Sequence, residues 1–515
     1  MHSRLTRRVW LRSSATTVAG LAGMAILAAC GGTGTATSSA TSAAAPSAAT
    51  SATQAASTAS AASTSSSQAA ATSAAPISSA QATSASQTAS SAAKAPAAGV
   101  TITWWSGWGT GNALAKVFDQ VAAEANKTAS GYQVQHEAQS SVAKKLATVI
   151  AAGTPPDVEV GNLAYPNFWA SGLAIALDSY LAKSSAVKKA DLFDASWKFG
   201  SYQGKTYGVP AVESFMRWGL VANQDLLAKR NLDPTNLPTN WDDLLEWHKQ
   251  LTVLDPATKA ITQLGLDPLN AMGGSASGGD PFFWGPSFGL GTKYYDEGAN
   301  QFNVAGPELE EALNTIKRFY DVIGGPAALD TFRKVNGTWS GTKAGIVLGT
   351  EALQINGYWT PGDLTKNAQT KKYVYGWPPV SPTRKGTKMQ STGGHFAVLP
   401  KGSPHPDLAF QVAEFLSGEQ AEQLIFDGSG FMGARKSFLA KVDTSKYPGL
   451  DFYVKSATTG DELWADPSDP IESFFSDTWH SQAQKVFLGQ LTPRDALQQL
   501  QQLCTEELKK RTAAS

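Results

Sequence analysis

The chain has almost no cysteine: two residues in 515, Cys30 and Cys504. Cys30 belongs to the leader described below, so Cys504 has no partner and a disulfide framework is excluded. Cys504 ends a helical pattern of Leu and Gln and reads as a small core residue. The six histidines, at 2, 136, 248, 395, 405 and 480, are scattered. No HExxH or EF-hand spacing occurs, so neither a metal site nor a cofactor is expected. Acid is absent from residues 1–98, which carry four arginines and Lys94. The formal neutrality of the chain, 42 basic against 42 acidic residues, therefore hides a remainder of 37 against 42, a net of −5. Nucleic acid requires a concentrated basic surface, so no nucleic-acid partner is expected. Apart from Ile77, residues 31–98 lack aromatic and large apolar side chains. Such a run of Ala, Ser and Thr cannot offset the entropy of ordering and reads as a disordered tether with a mean reach of roughly 45 Å. Internal repeats, the mark of a structural or adhesive surface protein, are missing after residue 98.

What is present begins with a basic start, Arg4, Arg7, Arg8 and Arg12, followed by an apolar run from Val18 to Ala29. At a dozen residues the run is shorter than the ~20 that span a bilayer, and with small residues at its end it reads as an export signal. Its ending, Leu27-Ala-Ala-Cys30, resembles the bacterial lipoprotein box, which implies a lipid on Cys30 and cleavage before it. The segment from Thr6 to Arg12, Thr-Arg-Arg-Val-Trp-Leu-Arg, is similar to a twin-arginine motif, whose cargo leaves the cell already folded. The expected organisation is a signal over 1–30, a tether over 31–98 and a globule over 99–515, held by its lipid at the extracytoplasmic face of the bacterial membrane.

Within the globule, Val100 to Trp105 alternates as a strand should, and the glycines after Ser106 break it. Asn112 can cap a helix whose Leu114, Val117, Phe118, Val121 and Ala125 share one face. A second helix is expected over 141–152, with Val142, Leu146, Val149 and Ile150 inward, ended by Gly153 and the Pro155-Pro156 pair. Val158-Glu-Val is a short strand, and this alternation predicts an α/β sheet with crossover helices. Gly204 suits a hairpin turn. Asn240 can cap a helix that starts at Trp241, with Asp242 and Asp243 favourable in its first turn.

Several segments occur here in the order and spacing of one family. They include Ala151-Ala-Gly-Thr-Pro-Pro-Asp-Val, Tyr202-Gln-Gly-Lys-Thr-Tyr-Gly-Val-Pro, Leu237-Pro-Thr-Asn-Trp-Asp-Asp-Leu, Leu353-Gln-Ile-Asn-Gly-Tyr-Trp and Asp407-Leu-Ala-Phe-Gln-Val-Ala-Glu-Phe-Leu. From Thr101 to Leu508 the chain resembles the family 1 extracellular solute-binding proteins, the maltose-binding-like receptors of ABC importers. Two departures stand out: Asn240 replaces the family's Thr before Trp241, and Ala222 replaces a Tyr before Asn223. The resemblance implies an α/β, two-lobed periplasmic-binding-protein type II fold with discontinuous lobes joined by a hinge. Lobe one would take about 99–211 and 351–397, and lobe two about 212–350 and 398–515. It also implies a monomeric, non-enzymatic receptor that binds a sugar or oligosaccharide between the lobes, closes by hinge bending and delivers its ligand to ABC permease subunits. The alternative within the same fold is a non-sugar solute such as a polyamine or glycerol phosphate.

A sugar presents apolar ring faces and a rim of hydroxyls, matched by aromatic rings and by carboxylates or amides. Loop positions at the carboxyl ends of the expected strands supply both. The candidate contacts are Ser106 and Trp108, Asn162 and Tyr165, Glu213 at the first hinge, Asp280, Phe282 and Trp284, Trp359, and His395 beside the last hinge crossing. Trp197 and Trp241 read as core. One hydrolase pattern exists, Gly285-Pro-Ser-Phe-Gly289, with the G-x-S-x-G form of a nucleophile elbow and His395 following in the chain. Pro286 and the short, proline-broken segment before it argue against the central strand such an elbow needs.

Overall fold

The computed structural model describes residues 99–515 except 162–164, 216–217, 269–280, 292, 337–339, 466–468 and 515. Three parallel strands form first: β1 (Val100–Ser106), β2 (Tyr132–Ala138) and β3 (Val158–Val160), with β1 in the middle. Helix α1 (Ala113–Thr128) crosses from β1 to β2, and helix α2 (Val142–Ala151) from β2 to β3. Asn112 caps α1 by accepting the Leu114 N–H at 2.9 Å, and the five expected apolar residues of α1 are buried. On α2 only Val142 and Leu146 are fully buried, while Val149 and Ile150 are partly covered. Phe396–Val398 and Gly208–Pro210 complete this sheet in the order β2, β1, β3, Phe396–Val398, Gly208–Pro210. Alternation along β1 sends Ile102 and Trp104 toward α1 and the helices Pro406–Leu416 and Glu419–Ser429, while Trp105 faces α2 and Tyr165–Ala170. Helices thus cover both faces of the first sheet.

The second sheet orders as Tyr373–Gly376, Gly219–Asn223, Glu351–Asn356, Ile261–Leu266, Val253–Leu254. Gly219–Asn223 runs antiparallel to both of its neighbours and is buried along its whole length. Ala222 lies there between Leu353 and Val374, its partners in register, where strands flank it on both sides. One face carries the larger core, with Trp241–Leu251, Pro307–Ile323 and the C-terminal helices; the other carries a small cluster under Gly345–Leu348 and Thr360–Asn367. Asn240 caps its helix by accepting the N–H groups of Asp242 and Asp243, each at 3.1 Å. Trp241 and Trp197 are buried as expected. Gly204 and Gln203 turn the 201–206 hairpin at positive φ.

The lobe boundaries expected from sequence are corrected by this topology. Segment 351–376 does not accompany the first lobe, because Glu351–Asn356 and Tyr373–Gly376 are hydrogen-bonded members of the second sheet. Residues 406–439 do not belong to the second lobe: Phe410, Ala413, Ile425 and Phe426 pack with Ile102 and Phe118 in the first core. The chain then returns, and Ile471 to Leu508 complete the second core, with Cys504 buried among them. Among the described residues no helix is long and apolar enough to cross a membrane.

Candidate functional site

Strand ends position the candidate site. β1, β3 and Gly208–Pro210 stop at Ser106, Val160 and Pro210, and the loops that follow meet one another. The first two are locked together: the Gly107 N–H donates to the Val160 carbonyl at 2.8 Å, and Gly161, at φ +119, lies flat against Gly107. A side chain at either glycine would strike the other's backbone.

The third loop opens with strain. Val212 sits at φ 63, and the Glu213 N–H donates to the Ala211 carbonyl at 2.7 Å, closing a γ-turn. A β-branched residue rarely adopts positive φ, and holding it there costs on the order of 1–3 kcal/mol. The returning segment holds it: the His395 N–H donates to the Glu213 carbonyl at 2.5 Å, and the Ala211 N–H to the His395 carbonyl at 3.1 Å. Gly394, at φ +142, permits that approach because it has no Cβ.

Side chains then converge on His395. Its Nε2 lies 3.3 Å from the Glu213 carboxylate, and the edge of Trp108 meets its ring at 4.5 Å. His395 Nδ1 is buried and finds no hydrogen-bond partner among the described residues. Trp108 is backed on its other side by Phe118 at 5.1 Å. The Glu213 side chain retains 12% of its exposure, and Trp108 and Trp359 are also only partly covered. Trp359 packs against both cores and meets Trp218 edge-on at 6.2 Å. A carboxylate, a histidine and an indole thus form one cluster, and a second partly exposed indole, Trp359, sits where the two cores meet.

Other expected contacts are placed elsewhere. Tyr165 is fully buried and stacked on Trp169; its hydroxyl donates to the Phe396 carbonyl and accepts the Gly161 and Phe396 N–H groups. That side chain ties β3 to the returning strand and is a structural tyrosine. Trp284 is also fully buried, stacked at 4.6 Å on Trp241 within the second core, so it is not a cleft residue. Ser106 has no exposed surface, and its hydroxyl bonds His136 Nε2 at 2.7 Å inside the first lobe. Asn162, Asp280, the Phe282 side chain and Cys30 lie outside the described residues.

The nucleophile-elbow reading fails on geometry. Ser287 ends a helix, Pro281–Ser287, rather than following a strand. Its hydroxyl is fully buried, accepting the Trp241 indole N–H at 2.7 Å and donating to the Pro379 carbonyl at 2.9 Å. His136 went unremarked at the sequence level, although its register opposite Trp104 on adjoining parallel strands places it on the α1 face. A separate cavity of about 430 Å³ lies between Thr360–Asn367 and Tyr373–Gly376, with Lys371, Lys372 and Gln224 among its walls. Among the described residues no group of three or more His, Cys, Asp or Glu could hold a metal ion.

Comparison with known proteins agrees with this architecture. The sequence model of the family described as "Bacterial extracellular solute-binding protein" matches residues 108–423. No curated protein matches the chain. Among solved structures, it is similar to CpMnBP1 with mannotriose bound, at 22% identity and a TM-score of 0.67, covering 79% of this chain and 100% of that one. It is also similar to an ABC substrate-binding protein from Listeria monocytogenes in complex with cycloalternan, at 20% identity and a TM-score of 0.64, covering 80% and 99%. A third is the maltose/maltodextrin-binding domain MalE from Bdellovibrio bacteriovorus bound to maltotriose, at 18% and 0.62, covering 80% and 100%. At these identities the likeness is one of fold.

Proposed function

The chain belongs to the family of bacterial extracellular solute-binding proteins, and we propose that its solute is a neutral oligosaccharide held by the cluster of Trp108, Glu213 and His395 and by Trp359, which packs against both cores. The observation that carries this reading is a set of partly exposed side chains, the Trp108 indole and the Glu213 carboxylate joined through His395, with Trp359 between the two cores. Indole faces suit the C–H faces of a sugar, and the carboxylate and imidazole suit its hydroxyls. The similar structures with mannotriose, cycloalternan and maltotriose support the same ligand class. Among the described residues no lysine or arginine is ion-paired with Glu213, whereas a phosphate or carboxylate ligand would favour such a cation nearby.

The receptor delivers its sugar to the permease subunits of an ABC importer and works without chemistry. It is anchored by a lipid on Cys30, and the tether of residues 31–98 lets the globule range from the membrane. Titration calorimetry of the purified protein with maltotriose and mannotriose tests the assignment: saturable heat without release of reducing ends is expected. Binding only of a charged solute such as a polyamine or glycerol phosphate would overturn the carbohydrate class.

A further inference from the structure

A second cluster lies behind the cleft tryptophan, on the α1 face of β1. Ser106 Oγ is 2.7 Å from His136 Nε2, and His136 Nδ1 is 2.7 Å from the Asp119 carboxylate on α1. A carboxylate only accepts, so Nδ1 carries a proton toward Asp119, and Nε2 closes the second hydrogen bond with the Ser106 hydroxyl. The connectivity is that of a hydrolytic triad, but the surroundings forbid that chemistry. Ser106 has no exposed surface. The nearby amides are already used, the Gly107 N–H on the Val160 carbonyl and the Gln139 N–H on the carbonyl of Ser106 itself, each at 2.8 Å. Among the described residues these contacts leave no oxyanion hole beside the hydroxyl.

The cluster instead packs against the ring that backs Trp108 and holds the start of its loop. The imidazole of His136, only 2% exposed, lies against Trp104 at 4.7 Å and meets Phe118 edge-on at 5.7 Å. Phe118 in turn backs Trp108, and Trp108 reaches His395 and through it Glu213. Ser106 is two residues before Trp108, so its hydrogen bond pins the start of the same loop. We propose that Ser106, His136 and Asp119 form a positioning relay that fixes the Trp108 ring in the cleft and so sets affinity for the solute. This inference rests on the cleft assignment above. The relay begins at Asp119, whose side chain is 66% exposed on the outer surface, so it can be cut without entering the cleft.

The test uses the full chain labelled with 5-fluorotryptophan, with the Trp108 fluorine signal identified by its loss in Trp108→Phe. Asp119→Ala cuts the relay at the surface, and His136→Phe keeps the ring packing but removes both hydrogen bonds. Each is expected to move the Trp108 signal in the ligand-free protein and to weaken maltotriose or mannotriose binding by roughly three- to tenfold. In a Trp108→Ala background the same changes should leave affinity unaltered, a non-additivity that general destabilisation does not produce. An unmoved Trp108 signal, or equal losses with and without Trp108, would overturn the relay. If neither sugar binds the unaltered protein, the carbohydrate reading falls, and the fluorine signal alone still decides the relay.

Discussion

Gly394→Ala tests the joint that holds the site together. At φ +142 any side chain is strained, and the added Cβ would lie 2.6 Å from Ser214 Cα, 3.0 Å from the Glu213 carbonyl carbon and closer still to its oxygen. Ordinary contact begins near 3.4 Å, so clearing Ser214 Cα alone needs a retreat of about 0.8 Å, which is 3.4 less 2.6, and clearing the Glu213 oxygen needs more. The neighbours are backbone and cannot swing aside. The retreat lengthens the His395 N–H to Glu213 carbonyl bond and the Ala211 N–H to His395 carbonyl bond. Leaving one or both unmade costs about 1–3 kcal/mol each, and the φ strain adds about 1–3 kcal/mol. The expected loss is therefore about 2–9 kcal/mol in urea unfolding followed by tryptophan fluorescence, with solute affinity falling as Glu213 and His395 separate. Gly204→Ala is the control: it lies at φ +76 in the hairpin with nothing within 4 Å, so only the left-handed backbone cost of about 1–2 kcal/mol applies. If Gly394→Ala costs no more than Gly204→Ala, the crossing segments are not held by this close approach.

Trp359→Ala and Trp284→Ala should separate site from core: the first is expected to weaken sugar binding by about 1–3 kcal/mol in calorimetry. The second should lower stability by about 3–5 kcal/mol in chemical unfolding, with affinity unchanged in the folded fraction. Burial, with Asp267 beside it, pushes the Glu351 carboxyl up to about 8. A raised carboxyl contributes stability present at low pH and lost as pH rises from about 4.5 through about 8, so Glu351→Gln should flatten the decline in melting temperature over that window. Burial pushes His248 down to about 4, so its contribution is lost as pH falls from 6.5 through about 4, and His248→Gln should soften the acid limb of the same profile. Cys30→Ser should move the protein from the membrane to the soluble fraction with sugar affinity intact.

Local chemistry written into short segments was legible in the sequence. Asn112 and Asn240 cap the helices they precede, and the loops after β1, β3 and Gly208–Pro210 meet as strand-end logic requires. The lobe boundaries were not legible, because strand partnership is a long-range choice. Nothing in Leu353-Gln-Ile-Asn states that it will pair with Leu220 and Ala222, more than a hundred residues earlier, and so stay in the second lobe. The candidate contacts divide on the same ground. A tryptophan reads alike whether it is cleft or core: Trp284 differs from Trp359 only in what the fold brings against it, a stacked Trp241 for one and the seam of two cores for the other. Tyr165 and Ser106 stand at strand ends where ligand contacts are expected, yet both spend their hydroxyls on the protein, one joining β3 to the returning strand and one joining β1 to β2. Those internal bonds stiffen the loops from behind, which sets the proposed contacts Trp108 and Glu213 on a rigid frame.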